Sequence, residues 1–157
     1  MSPDPAAAAS PATLTDATVG IVVSDWHSEL TSVMLDSAIA ELKRLGVEND
    51  DIFVAHVPSV MELVFAARQM SMVQEPKAVM MLGCCTEDED PQYNSVAQSM
   101  RQGFTELNLH SDIPYINGVF LPTTLAQARE CCTAQRGAEC AEKVSKMVNM
   151  MANLVII

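Results

Sequence analysis

Thr18-Val19-Gly20-Ile21-Val22-Val23 is β-branched and apolar at nearly every position, the composition of a strand buried on both faces of a parallel sheet. Leu30, Val33, Met34, Ala38, Leu42 and Leu45 then recur at helical spacing and stop at Gly46, completing a βα unit. Working outward, Asp51 to Val57 reads as a second strand, and Leu63, Ala66, Ala67 and Met70 line a second helix. Lys77 to Leu82 is a third strand, followed by a helix from about Gln92 to Leu109 and a fourth strand from Ile113 to Phe120. Two helical stretches close the chain, one from about Thr123 to Cys131 and one from about Gly137 to Val155. Ala141, Val144, Met147, Val148, Met151 and Val155 mark the apolar side of the second. The alternation predicts a doubly wound α/β fold, a three-layer α/β/α sandwich with a four-stranded parallel sheet, in a single domain over residues 18–157.

The whole-chain figures fit that reading and exclude several classes. At 157 residues, 49% apolar and 18% charged, the chain buries an ordinary core. Nine basic against twenty acidic side chains give a net charge of -11, which repels nucleic acid and anionic lipid, so neither is expected as a partner. No apolar run approaches the roughly 20 residues of a membrane helix. Residues 1–17, rich in Pro and Ala without Lys or Arg, read as a flexible arm rather than a secretory or organelle signal, and a cytoplasmic location is expected. Cys84, Cys85, Cys131, Cys132 and Cys140 form two adjacent pairs and a single, which suits neither a zinc site nor a disulfide framework. Buried or inert thiols are expected. Eleven methionines suit adaptable packing in a core or between subunits. The apolar end Leu154-Val155-Ile156-Ile157 calls for cover by a neighbouring subunit.

The chemistry should lie where the third strand gives way to its helix, because open α/β sheets bind ligands beyond the carboxyl ends of their strands. Here that stretch is Gly83-Cys84-Cys85-Thr86-Glu87-Asp88-Glu89-Asp90-Pro91-Gln92, with four carboxylates in a row. A divalent cation on Asp88 or Asp90 does not match EF-hand spacing, so no metal and no cofactor are expected.

In order and spacing these elements resemble the lumazine synthase family, a flavodoxin-like fold, from about Val19 to Asn149. The resemblance is carried by Gly20-Ile21-Val22-Val23-Ser24-Asp25-Trp26-His27, Leu45-Gly46-Val47, Val57-Pro58-Ser59-Val60-Met61-Glu62, Leu82-Gly83, Pro91-Gln92-Tyr93, Pro114-Tyr115-Ile116-Asn117-Gly118-Val119 and Arg136-Gly137-Ala138-Glu139-Cys140-Ala141. It implies a transferase of riboflavin biosynthesis that condenses a ribitylamino-pyrimidinedione with 3,4-dihydroxy-2-butanone 4-phosphate, in sites between the subunits of a pentamer that in some members assembles into a shell. By that resemblance Trp26 stacks on the ring, Glu62 binds the ribityl chain, and the main chain of Val60, Met61 and Glu62 and of Cys84, Cys85 and Thr86 holds the ligand. Met61 and Asn117 stand where two aromatics usually wall the pocket.

Other positions depart from the family pattern together. Gln92 occupies the place of the proton-transferring histidine, and an amide does not titrate near neutral pH. Cys131 stands for the arginine that grips the phosphate, leaving Arg136 as the nearby cation. Glu89 and Asp90 enter the phosphate cradle and Glu87 replaces a basic residue; each carboxylate about 4 Å from a phosphate charge costs roughly 1 kcal/mol even in water. The expectation is a family member with impaired activity, a homo-oligomer in the form of a pentamer with a higher assembly left open. The alternative is a non-catalytic oligomeric scaffold, or a paralogue that holds a flavin- or pteridine-like small molecule and is paired with an active copy.

Overall fold

The computed structural model describes residues 13–155, without the side chain of Val155. Four strands, β1 (Val19–Ser24), β2 (Ile52–Val57), β3 (Ala78–Cys84) and β4 (Tyr115–Phe120), form one sheet in the order β2-β1-β3-β4. All pairings are parallel. The helices are α1 (Ser28–Arg44), α2 (Leu63–Gln74), α3 (Tyr93–Leu109), α4 (Leu125–Cys131) and α5 (Ala134–Val155), with short 3-10 turns at Asn49–Asp51 and Val60–Glu62.

The uninterrupted apolar strands are explained by two cores. Val19, Ile21 and Val23 of β1 and Ala78, Met80, Leu82 and Cys84 of β3 point to one side, where α1, α4 and α5 supply Met34, Leu42, Ala128, Ala141 and Val144. The intervening Val22, Val79 and Met81 point to the other, against Leu63, Ala67 and Met70 of α2 and Val96 and Met100 of α3. A period of two with both faces buried leaves no polar position in β3. The expected three-layer sandwich is therefore present, with three helices on one face and two on the other.

Boundaries shift where local pairing decides them. Gly83 and Cys84 stay in β3 because they pair with Val119 and Phe120, so the acidic turn starts at Cys85. Gly46 takes φ 106°, the left-handed turn that ends α1, and its flank receives Leu14. Leu14 is 2% exposed and its amide donates to the Leu45 carbonyl at 2.7 Å. Of the expected arm, residues 1–12 lie outside the described residues, while Leu14 and Ala17 pack into the core. The apolar side expected for the last helix is buried only at its start: Ala141 and Val144 are enclosed, Met147 and Val148 partly covered, Met151 exposed. A 22-residue helix is about 33 Å long, whereas six-residue strands span about 20 Å, so α5 overruns the sheet. Leu154 is exposed as well, and residues 156–157 lie outside the described ones.

All five cysteines are free, four buried and Cys131 partly so. The Cys132 thiol shares a hydrogen bond with Cys84, which raises Cys132 and lowers Cys84, and burial pushes up Cys131 and Cys140. Among the described residues, no group of three or more His, Cys, Asp or Glu is arranged to hold a metal ion. No described helix is long and apolar enough to cross a membrane.

Two outcomes follow from this packing. A Cβ on Gly137 of α5 would lie 2.2 Å from the Met34 carbonyl oxygen of α1. Because that obstacle is backbone, Gly137→Ala should force the helices apart and lower stability by about 3 kcal/mol in urea unfolding. Native protein treated with iodoacetamide at neutral pH should be alkylated slowly and at Cys131 first, with all five thiols reacting after unfolding, as read by mass spectrometry.

Candidate functional site

The chain leaves β1 for β2 on one side and reaches β3 on the other, so the carboxyl ends of β1 and β3 flank the point where strand order reverses. Beyond β1, the amides of Asp25 and Trp26 donate to the carbonyls of Val57 (2.8 Å) and Pro58 (3.1 Å), fastening this turn to the segment after β2. His27 then takes a left-handed conformation, φ 58°, as the N-cap of α1. That turn leaves Trp26 standing at the sheet's end, 48% exposed, with the His27 ring edge-on at 5.4 Å.

After β2, Ser59 and Glu62 form a capping box in which Glu62 accepts from both the amide and the hydroxyl of Ser59. This shapes the turn and leaves Val60 pointing inward. The sugar-binding glutamate expected from sequence thus has a local partner in this chain.

The acidic turn after β3 is held along its length. The amides of Cys85, Glu87 and Asp88 donate to the carbonyls of Phe120, Pro122 and Thr123. Asp90 accepts from the Gln92 amide at 2.8 Å through one oxygen and from the Cys85 thiol at 3.3 Å through the other. Its carboxylate therefore sits at the amino end of α3, where the helix dipole favours it. Burial first, then the neighbouring Asp90 carboxylate, pushes the Cys85 thiol up to about 12. Cys85 is consequently a hydrogen-bond donor here rather than a nucleophile.

Trp26, Ser59, Val60, Cys85, Glu89, Asp90, Pro91 and Val96 wall a cavity of about 210 Å³ at this crossing. Five expected residues, Trp26, Val60, Cys85, Glu89 and Asp90, meet there. Met61 and Glu62 are exposed on the adjoining turn, while Cys84 and Thr86 are fully buried below it. Gln92 is exposed at the N-cap of α3 without a side-chain capping bond. Asn117, Cys131 and Arg136 are absent from this wall. Asn117 lies on β4, accepting from the Val119 amide; Cys131 ends α4; and Arg136 on α5 is paired with Glu139 at 3.2 Å and stands over the Phe120 ring.

The residue that sequence reasoning passed over is His27. Its side chain is 9% exposed and lies between two carboxylates, with Nε2 3.2 Å from Glu89 and Nδ1 3.5 Å from Glu29. The Glu89 contact is a close approach without hydrogen-bond geometry at Nε2. The only signal in the sequence was that His27 follows the chain's single tryptophan; Glu29 and Glu89 are far apart along the chain and meet only through the fold.

The family model described as 6,7-dimethyl-8-ribityllumazine synthase matches residues 16–152. The chain is 36% identical over 137 residues to the 6,7-dimethyl-8-ribityllumazine synthase of Parabacteroides distasonis, covering 85% of this chain and 86% of that protein. It is 34% identical over 138 residues to the synthase of Bacteroides fragilis, covering 86% and 96%, and 34% identical to that of Phocaeicola vulgatus, covering 86% and 82%. With the parallel sheet in the order β2-β1-β3-β4 and a recess at its switch point, such a match over nearly the whole folded domain means that the chain belongs to the 6,7-dimethyl-8-ribityllumazine synthase family of riboflavin biosynthesis.

Proposed function

We propose that this chain is a lumazine synthase with impaired turnover, able to seat the pyrimidine substrate on Trp26 but weak in binding the ketone phosphate. The supporting observation is the charge of the cavity wall: of its eight residues two are carboxylates and none is basic. A phosphate needs charge-assisted donors, each contributing about 1.5–3 kcal/mol. At the family's arginine position stands Cys131, whose thiol donates to the Ala128 carbonyl at 3.6 Å. Gln92 offers an amide where the chemistry calls for a titrating group.

The fold tempers the penalty expected from the acidic turn. Asp90 accepts from two donors at the amino end of α3 and Glu89 lies 3.2 Å from the His27 ring, so both carboxylates already have partners within the chain. Catalysis by proximity remains available, because the condensation is helped wherever the two reactants are held together.

The working unit is a homo-oligomer, a pentamer by family resemblance. A 210 Å³ recess is below the roughly 300–1,000 Å³ of a small-molecule site, so a second copy is needed to complete it. Exposed apolar surface supports this: Phe65 and Met72 stand two turns apart on α2 and Met61 on the 3-10 turn before it, and all three are exposed, Phe65 by 70%. Phe65→Glu should reduce the sedimentation coefficient to that of a smaller species while circular dichroism stays unchanged; a monomeric unmodified protein would refute the assembly.

Turnover is tested by mixing purified protein with both substrates and following lumazine formation against the spontaneous rate. A measurable excess is expected, with a KM for the ketone phosphate about 100-fold above that of an active family member, the loss of roughly one charged contact. Ordinary affinity for that substrate would overturn the impairment.

A further inference from the structure

Three side chains form a line from the cavity to solvent that none of the family positions above accounts for. Glu89 belongs to the cavity wall, His27 is buried behind it, and Glu29 lies on the far side with its carboxylate 63% exposed. The two gaps are 3.2 Å at Nε2 and 3.5 Å at Nδ1. An imidazole between two carboxylates takes a proton at one nitrogen and releases another from the opposite nitrogen. Glu89 joins from the turn after β3 and Glu29 from the first turn of α1, so the line is assembled by the fold rather than by sequence proximity. The Cys84 thiol at the end of β3, lowered chiefly by its hydrogen bond with Cys132, also feels Glu29 and Glu89, which oppose its ionisation.

We propose that Glu89, His27 and Glu29 form a proton relay that serves this site in place of the histidine that Gln92 has replaced. The proposal rests on the reading of this chain as a slow lumazine synthase. Glu89 is the group that meets the bound substrate, and His27 and Glu29 act through it. In the step proposed, the Glu89 carboxylate accepts a proton from the substrate carbon or nitrogen that must lose one, leaving the bonding pair on the substrate. The proton passes to Nε2 of His27 while the Nδ1 proton moves to Glu29 and on to water. The ring then returns to its first tautomer, and no net charge accumulates. The contact at Nε2 lacks hydrogen-bond geometry in the free chain, as catalytic contacts often do before a ligand tightens them.

The relay works outward only when Nε2 is free to accept a proton, so the pH profile of the rate, corrected for the spontaneous reaction, should change when the imidazole is removed. His27→Gln should remove the step and slow the corrected rate by about 100-fold, with Glu89→Gln matching it and Glu29→Gln costing about tenfold. Retained circular dichroism identifies variants that fold, and Glu89→Gln serves if His27→Gln does not. An unchanged pH profile in a folded His27→Gln or Glu89→Gln protein would overturn the relay while leaving the family activity in place. Unmodified protein no faster than the spontaneous reaction would overturn the relay and the residual activity together. Ordinary affinity for the ketone phosphate would remove the impairment alone and leave the relay to the pH profile.

Discussion

Everything in this molecule is hung on the pairing of β1 with β3. The two strands are central in the sheet, apolar on both faces and almost wholly enclosed. Burying a Val, Leu or Ile side chain contributes roughly 1.5–3 kcal/mol, and these two strands carry most of the largest buried side chains of the chain. Because the connections leave this pair in opposite directions, the same pairing creates the reversal of strand order that opens a recess at its carboxyl end. Stability and site location are therefore consequences of one interaction.

Much of the fold was legible because that pairing writes itself into composition. A strand buried on both faces must be continuously apolar, and only a few segments are. The helices followed from 3.6-residue spacing, with errors of a few residues at their ends. One departure has a physical cause. Leu14 looked like part of an arm because its neighbours are polar or small, although a single leucine between Leu45 and the left-handed Gly46 suffices to dock it. The apolar side read on α5 is covered only in part, because the helix outruns the sheet.

The site was legible by position and much less by interaction. Trp26, Val60, Cys85, Glu89 and Asp90 could be assigned to one place because each follows a strand. What each carboxylate does there could not be read from the run Glu87-Asp88-Glu89-Asp90. Asp90 became an acceptor at the approach to α3 because the chain turns at Pro91 and presents the Gln92 amide to it. Glu89 gained a buried histidine from the other side of the switch point. Like charges in sequence had suggested mutual repulsion around an anion; the fold instead gives two of them separate partners.

Under the proposed reading of an impaired site, this division of labour lets the site change while its scaffold persists. Of the cavity wall, Val60, Cys85 and Val96 belong to the core, while Trp26, Glu89 and Pro91 are exposed. Substitutions at exposed positions usually alter stability by less than about 0.5 kcal/mol, whereas changes at the first three would open cavities or overpack a helix-sheet contact. Gln92, Cys131 and Arg136, which the resemblance places at the proton-transfer and phosphate positions, are exposed or partly exposed. Selection for folding and assembly thus leaves the charges of the site free to change. A new proton path then requires no rebuilding, only that a buried imidazole already between two carboxylates be put to use.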